Sequence, residues 1–524
     1  MRNNRAPGVT PISGEPRNFW TKEGLHRLLE GRFRDLKFIA VSNREPYIHQ
    51  FRDGRIECFQ PASGLTVALD PIMRATGGTW VAHGSGDADR LTVDARDHVD
   101  VPVADPCYTL RRVWLDRETE DRYYYGLANE GLWPLCHIAF ERPVFRLKDW
   151  ESYRRANEAF AEAVLEEAAG RPALVFIQDY HFGLLPRMLK DRNPNLTIAQ
   201  FWHIPWPNRE VFRAFPWQEE LLDGLLGNDL LGFHLQYHCS NFLDTVDRCL
   251  EAKVDGERCD VVRQGGVTRV RPFPISIDFE AHAEEAASSE VVRHMASWRS
   301  ELGEDAAVLG IGIDRADYTK GIPERLRAVD RLLEMCPEYR GKLVFLQVAV
   351  PSRVRIPGYE TLNREIEGLA REMNERWGRG GWQPIRLCQR HLPQAELMAL
   401  HRLADFCVVS SLHDGMNLVA KEFVASRDDE DGVLILSTFA GASRELTAAV
   451  LVNPFSADQM AEAIRDGLTM PATERRKRMR ALRTVVMERN IYRWGADLMA
   501  TLLQVEAAED VRPAHDAWAK VAGL

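Results

Sequence analysis

Two clusters of charged residues in this chain have the types and spacing to hold an anionic, hydroxyl-rich ligand. The first is Asp314-Arg315-Ala-Asp317-Tyr-Thr-Lys320-Gly321-Ile-Pro323-Glu-Arg325. It follows a β-branched run and leads into a helix opened by Pro323, which suits a first helical turn. Arg315 offers a fork of donors and Lys320 a point charge, and together they can close on a diphosphate. A surface ion-pair network with Asp314 and Asp317 would use the same residues differently. The second cluster is Ser411-Leu-His413-Asp414-Gly415-Met-Asn417-Leu-Val-Ala-Lys421-Glu422. A strand ends here, a glycine turn follows, and a helix is predicted from Met416. Its free N–H groups and positive dipole end form an anion site. Glu422 stands about two helical turns beyond Asp414, so both carboxylates can face one ligand and bind diols on a sugar and a ribose. Two other uses are a helix cap by Asp414 and a glycosidase-type acid/base pair, which nothing else in the sequence supports.

Other motifs point away from competing chemistries. Gly310-Ile-Gly312 lacks the third glycine of a dinucleotide fingerprint, and no acidic residue is well placed about 20 positions on. His234 and His238 can share a helix face, but Leu-Gln-Tyr between them supplies no glutamate, so packing is expected rather than zinc. No G-x-S-x-G occurs, which disfavours a serine hydrolase. Trp202-His203-Ile-Pro205-Trp206-Pro207 places aromatics around a histidine at a strand end, either as a site or as a rigid proline turn.

These clusters need strands to carry them. Phe38–Val41, Ala173–Ile177, Ile198–Trp202 and Leu230–Phe233 are short apolar runs that end in polar residues, the pattern of buried parallel strands. A second series comprises Ala307–Ile313, Leu343–Leu346, Phe406–Val409, Val433–Leu436 and Val450–Val452. Helices are predicted over Glu151–Ala169, Pro323–Met335, Tyr359–Trp377 and Met416–Ser426. Strand–helix alternation gives an α/β fold with parallel, doubly wound sheets. Two series joined near Arg271-Pro-Phe-Pro274 predict two Rossmann-like domains facing across a cleft. Ligands of such sheets sit outside the strand C-termini, so the cleft is the expected site.

Composition bounds the rest. The chain has 524 residues, 67 Lys plus Arg against 77 Asp plus Glu, and a net charge of −10. Hydrophobic residues make up 45% and charged residues 27%, enough for large cores without disulfides. The acidic balance argues against nucleic acid as a partner. No apolar run is long enough to span a membrane, and the polar segment Met1–Trp20 lacks a signal peptide's apolar stretch and reads as a mobile tail. Nine scattered cysteines without C-x-x-C spacing point to reduced thiols in a cytoplasm. A homo-oligomer is compatible with all of this.

Taken together the motifs resemble those of the trehalose-6-phosphate synthases, the retaining glycosyltransferases of family 20. The pieces are Ser42-Asn-Arg44, Leu132-Trp-Pro134, Asp179-Tyr-His181, His203-Ile-Pro205, Asp317-Tyr-Thr-Lys-Gly321, Asp414-Gly-Met-Asn-Leu-Val-Ala-Lys-Glu422 and Phe439-Ala-Gly-Ala442. They run in family order from Val41 to about Trp494. The resemblance implies a GT-B type glycosyltransferase. Residues 1–275 would be the acceptor domain, with 491–524 packing back on it, and 276–490 the nucleotide-sugar domain. Arg315 and Lys320 would hold the donor diphosphate, Glu422 the ribose, and Asp414 with the amides of Gly415, Met416 and Asn417 the transferred glucose. Leu418 and Val419 would add backbone contacts, and Gly64 belongs to the loop over the donor. His203 would sit on the glucose at the reacting centre. Asp179 would contact the acceptor sugar, Arg44, Tyr124, Trp133 and Arg353 would form the acceptor phosphate pocket, and Trp80 would lie nearby.

The implied reaction moves glucose from a nucleotide-glucose, UDP-glucose in the first instance, to glucose 6-phosphate with retention. Leaving phosphate and attacking hydroxyl share one face of the sugar, so no protein nucleophile, cofactor or metal is called for when Arg315 and Lys320 stabilise the departing charge. Several features depart from or blur the family pattern. Ala62-Ser63-Gly64-Leu65 stands where many members have two adjacent glycines, and His413 where an arginine is common. Asn43–Tyr47 and Thr79–Ala82 also look like glucosylglycerol-phosphate synthases, which use glycerol 3-phosphate, and UDP, ADP and GDP all suit the donor residues. A non-catalytic sugar-phosphate sensor is the reading from another class. A fused phosphatase domain is not expected, because too little chain follows Trp494.

Overall fold

The computed structural model describes residues 20–32, 37–60, 69–70, 72–74, 76–303 and 306–510. The expected N-terminal tail (apart from Trp20), Gly64 and residues 511–524 lie outside them.

Two sheets carry the fold. In the first, Gly266–Pro272, Leu230–Phe233, Thr197–Phe201, Ala173–Gln178, Lys37–Arg44, Thr79–His83 and Tyr108–Val113 run parallel side by side. Antiparallel strands extend both edges: Asp260–Arg263 and Lys253–Asp255 at one, His98–Val101 at the other. The second sheet is parallel throughout, in the order Ile385–Cys388, Leu343–Pro351, Val308–Ala316, Phe406–Val409, Val433–Ser437, Val450–Val452. Residues of alternate parity on the first sheet enter different cores, as a sheet covered on both faces requires. Ile39, Val41, Val175 and Ile177 pack with Phe160 and Val164 of the helix Leu147–Ala168. Phe38, Ala40, Phe176 and Phe201 pack on the opposite face with Trp494, Leu498 and Met499 of the helix Ile491–Asp510. The Trp494 ring stands 5.2 Å from that of Phe201 and 5.9 Å from that of Phe176, so the last described helix lies across the first sheet.

Strand order reverses once in the middle of each sheet. In the first the reversal falls between Lys37–Arg44 and Ala173–Gln178, so Arg44 and Asp179 flank it. In the second it falls between Val308–Ala316 and Phe406–Val409, so Arg315 at the strand end with the turn up to Lys320, and the Ser411–Asn417 loop, flank it. Helices leave opposite faces of a sheet at such a point, opening a crevice outside the strand ends.

The chain crosses between the sheets along Phe273–Ile277. The Lys421 ammonium, buried on the helix Leu418–Ser426, donates to the Ile275 carbonyl at 2.7 Å and pairs with Glu445 at 2.7 Å. The Ile491 amide donates to the Ile277 carbonyl at 3.0 Å. Among the described residues no helix is long and apolar enough to cross a membrane.

Candidate active site

Lys320 leaves the strand Val308–Ala316 through a single tight turn, Tyr318–Lys320, ended by Gly321 at φ 60°. A Cβ on Gly321 would stand 2.3 Å from the Ser410 carbonyl oxygen, so only glycine lets this loop close on the neighbouring strand end. The Lys320 ammonium meets Asp414 Oδ2 at 2.6 Å. Asp414 also accepts from Ser411 Oγ and from Asn417 Nδ2, each at 3.2 Å. Burial would raise the Asp414 carboxyl, but Lys320 and these donors hold it well below the usual carboxylate range.

The local ion-pair alternative for Arg315 and Lys320 is not adopted. Asp314 pairs with Arg325 at 2.6 Å, and Asp317 with Arg353 at 3.2 Å. Arg325 is fully buried and donates to Ser410 Oγ, Gln347 Oε1 and the Lys320 carbonyl as well, which fixes the cationic loop from behind. A Cβ on Gly312 would lie 2.2 Å from the Arg325 guanidinium, so this glycine serves packing rather than a dinucleotide fingerprint. Arg315 makes no ion pair among the described residues; its guanidinium stands 6.0 Å over the Trp133 ring.

Asp414 does not cap the following helix either. The helix begins at Leu418, and Asn417, at φ 96°, caps it by accepting from the Ala420 amide at 3.1 Å. Gly415, Met416 and Asn417 therefore form a turn ahead of the helix, and their amides donate to no described partner. Gly441 packs so closely on this turn that a Cβ would come within 2.0 Å of the Gly415 carbonyl oxygen. Leu418 and Val419 are half-buried in the first turn. The Glu422 carboxyl has no hydrogen-bond or ion-pair partner among the described residues, its carbonyl accepting from Ser426 Oγ, and burial pushes that carboxyl up to about 7.

The first sheet meets these loops from the other side. A Cβ on Gly415 would lie 2.6 Å from the His203 carbonyl oxygen, which places His203 directly against the second cluster. His203 donates its amide to Asp179 Oδ1 at 3.2 Å, and its Nε2 lies 2.9 Å from Gln178 Oε1. Burial holds its imidazole neutral, down to about 3, and raises the Asp179 carboxyl to about 7. His234 donates to the His203 carbonyl at 3.0 Å and His413 to the His137 carbonyl at 2.9 Å; His234 and His238 are both buried, as expected, but share no helix face, because His234 precedes the helix Gln236–Cys249 that carries His238.

Beside this centre lies a cationic pocket. Tyr124 and Trp133 lie at the start and end of a π-helical stretch, Asp121–Leu132, and its continuation. The Arg44 guanidinium donates to the Tyr124 hydroxyl at 3.3 Å. Arg353, at φ 48°, lies 4.0 Å over the Trp133 ring and bonds Tyr359 and Asp317. Burial raises the Tyr124 phenol, but Arg44, Arg353 and Arg315 outweigh it and bring it down to about 8. Trp133 Nε1 reaches Asp317 Oδ1 at 3.4 Å, tying the two sides together. Asp179, Arg353 and Asn417 all hold positive φ (71°, 48° and 96°), a strained backbone at three points of the cleft.

Trp80 is placed elsewhere. It is fully buried in the first core, stacked 6.1 Å from Tyr108, and offers no surface to a ligand. Arg325 and Tyr359 were not singled out by sequence reasoning. Arg325 stands within the first cluster but shows no sign of its burial, and Tyr359 has no local signal beyond an aromatic in a helix.

Two of the solved structures that share this architecture bear on the site. One is an α,α-trehalose-phosphate synthase (UDP-forming) from Burkholderia xenovorans in complex with glucose-6-phosphate, with TM-score 0.79 and 32% identity over 89% of this chain and 100% of that one. The other is an E. coli protein bound with UDP-2-fluoro glucose, with TM-score 0.80 and 32% identity over 89% of this chain and 99% of that one. Two Rossmann-like sheets with their switch points turned to one cleft make this chain a glycosyltransferase of the GT-B type. A model described as Glycosyltransferase family 20 matches residues 36–504, and the trehalose-6-phosphate synthase of Mycobacterium avium (strain 104) is 39% identical over 477 residues, 89% of this chain and 95% of that protein. The chain belongs to glycosyltransferase family 20.

Proposed function

We propose that this enzyme transfers glucose from UDP-glucose to glucose 6-phosphate, giving α,α-trehalose 6-phosphate with retention. The observation that carries the reading is the division of charge in the cleft. Arg315, Lys320 and the unengaged amides of Gly415, Met416 and Asn417 gather at the second switch point, and Arg44, Tyr124 and Arg353 gather beside them. One group suits a diphosphate and its sugar, the other a second phosphate. The two relatives solved with a UDP-sugar analogue and with glucose-6-phosphate support this pairing of substrates.

In this reading residues 1–275 bind the acceptor and 276–490 the donor. Arg315 and Lys320 hold the donor diphosphate, Glu422 the ribose, and Leu418 and Val419 add backbone contacts. Asp414 and the amides of 415–417 hold the glucose, and His203 sits on it as a neutral hydrogen-bonding group. Asp179 and Trp133 orient the acceptor. The bond from the anomeric carbon to the diphosphate breaks as the bond to the acceptor hydroxyl forms on the same face. The hydroxyl proton passes to the leaving phosphate oxygen, and the nucleoside diphosphate departs. Fixed cations and amides stabilise the growing negative charge without reorganising.

Product analysis tests the reading: UDP-, ADP- and GDP-glucose are each offered with glucose 6-phosphate or with glycerol 3-phosphate. Trehalose 6-phosphate from UDP-glucose is the expected product. Turnover only with glycerol 3-phosphate, or with neither acceptor, sinks the proposal.

A further inference from the structure

Arg44 reaches the Tyr124 hydroxyl with an exposed side chain, so little in its own surroundings restrains it. Its backbone is a different matter. A bulge between Ser42 and Arg44 breaks the ladder with Thr79–His83, and such a bulge re-aims the side chain beyond it. Inside the bulge Ser42 Oγ donates to the Arg44 carbonyl at 2.5 Å and accepts from Trp80 Nε1 at 2.8 Å. Ser42 and Trp80 are both fully buried. The flanking residues are pinned as well. Tyr123 donates its hydroxyl to Asn43 Oδ1 at 3.1 Å. Glu45 accepts from the Ser85 amide at 2.8 Å and from the fully buried Arg112 at 2.9 Å.

We propose that Trp80 and Ser42 are positioning residues of the acceptor pocket: a buried Trp80–Ser42–Arg44 relay fixes the bulge from which the Arg44 guanidinium meets the acceptor phosphate. Trp80 acts through Ser42 and touches no substrate. Holding a flexible arginine costs rotamer freedom, and fixing its backbone origin shortens the search for the bound geometry. The relay is geometric, whereas its effect on the acceptor rests on reading Arg44 as a phosphate ligand, so the test separates the two.

Ser42→Ala and Trp80→Phe each remove one link, the second keeping an aromatic ring in the core. The first readout needs no substrate: the Tyr124 phenol is titrated by ultraviolet difference spectra against Tyr124→Phe. In both variants its midpoint is expected to move upward toward that of Arg44→Ala, because the guanidinium no longer stands beside it. The second readout is kinetic: acceptor KM rises on the order of 10-fold, the loss of about one charged hydrogen bond, while kcat and donor KM hold. A Tyr124 midpoint unchanged in folded Ser42→Ala overturns the relay, as does unfolding of both variants, which would make the pair purely structural. A shifted midpoint with acceptor KM unchanged in Arg44→Ala itself leaves the relay standing and removes the phosphate assignment.

Discussion

Arg315 and Lys320 are assigned the same task in the cleft, yet they stand in different surroundings, and replacing each with alanine separates catalysis from stability. Lys320 and Asp414 form an ion pair whose side chains are 15% and 14% exposed. Removing one partner of a buried pair costs about 3–5 kcal/mol. Asp414 keeps donors from Ser411 and Asn417, so about 3 kcal/mol is expected for Lys320→Ala. Arg315 has no ion pair to lose and only a distant aromatic contact, so its removal costs no more than about 1 kcal/mol. On turnover the two changes agree: in the proposed mechanism each deletes one donor to the departing diphosphate, worth about 10²–10³-fold in kcat. The pH of the experiment follows from Asp414. Its folded carboxyl is lowered, so the pair's contribution is present above the ordinary carboxylate value and is lost only as pH falls through the lower folded one. At pH 7 the difference is therefore complete. Nucleoside diphosphate release at saturating substrates gives kcat, and urea unfolding of ligand-free protein gives stability. Near wild-type turnover in Arg315→Ala, or equal unfolding midpoints for the two variants, refutes the argument.

Two further expectations concern protonation. Neighbouring guanidiniums bring the Tyr124 phenol down to about 8, so under the proposed acceptor role the acceptor KM should climb as pH passes that value and a phenolate meets the phosphate; the climb should vanish in Tyr124→Phe, and a profile shared by both proteins removes the role. Glu422 has its carboxyl raised to about 7, and a raised acid contributes stability that is full below its ordinary 4.5 and lost as pH rises through 7. Glu422→Gln should therefore melt above wild type at pH 8 and with it at pH 4, while donor KM rises on the order of 10-fold; identical melting at pH 8 contradicts the burial argument.

Much of the scaffold was readable because its signals are local. Phe38–Val41, Ala173–Ile177, Phe406–Val409 and Val433–Leu436 are uninterrupted apolar runs, and each lies within a parallel strand. Strands that escaped notice interrupt that pattern. Tyr108–Val113 contains Arg111 and Arg112, and Ile385–Cys388 is an edge strand with Arg386. Arg112 is tolerated inside because Glu45, Asp89 and His49 satisfy it, partners that lie 23 to 67 residues away. The helix expected from Met416 starts at Leu418, because Asn417 supplies the cap and the preceding turn stays open.

The sequence by itself determined the two strand–helix series, the residue types at their strand ends and, through ordered motifs, the family. The three-dimensional arrangement decided which charges meet. Lys320 could have paired with Asp314 or Asp317 nearby, but takes Asp414, 94 residues away. Asp317 turns instead to Arg353, Tyr359 and the Trp133 indole, the last 184 residues distant. Trp80, which the motifs set near the acceptor, is withdrawn into the core and reaches Arg44 only through Ser42. Periodicity is a property of a few consecutive residues and survives in the sequence. Pairing and burial depend on which strands lie side by side and on which water is excluded, and these exist only once the sheets have closed on one another.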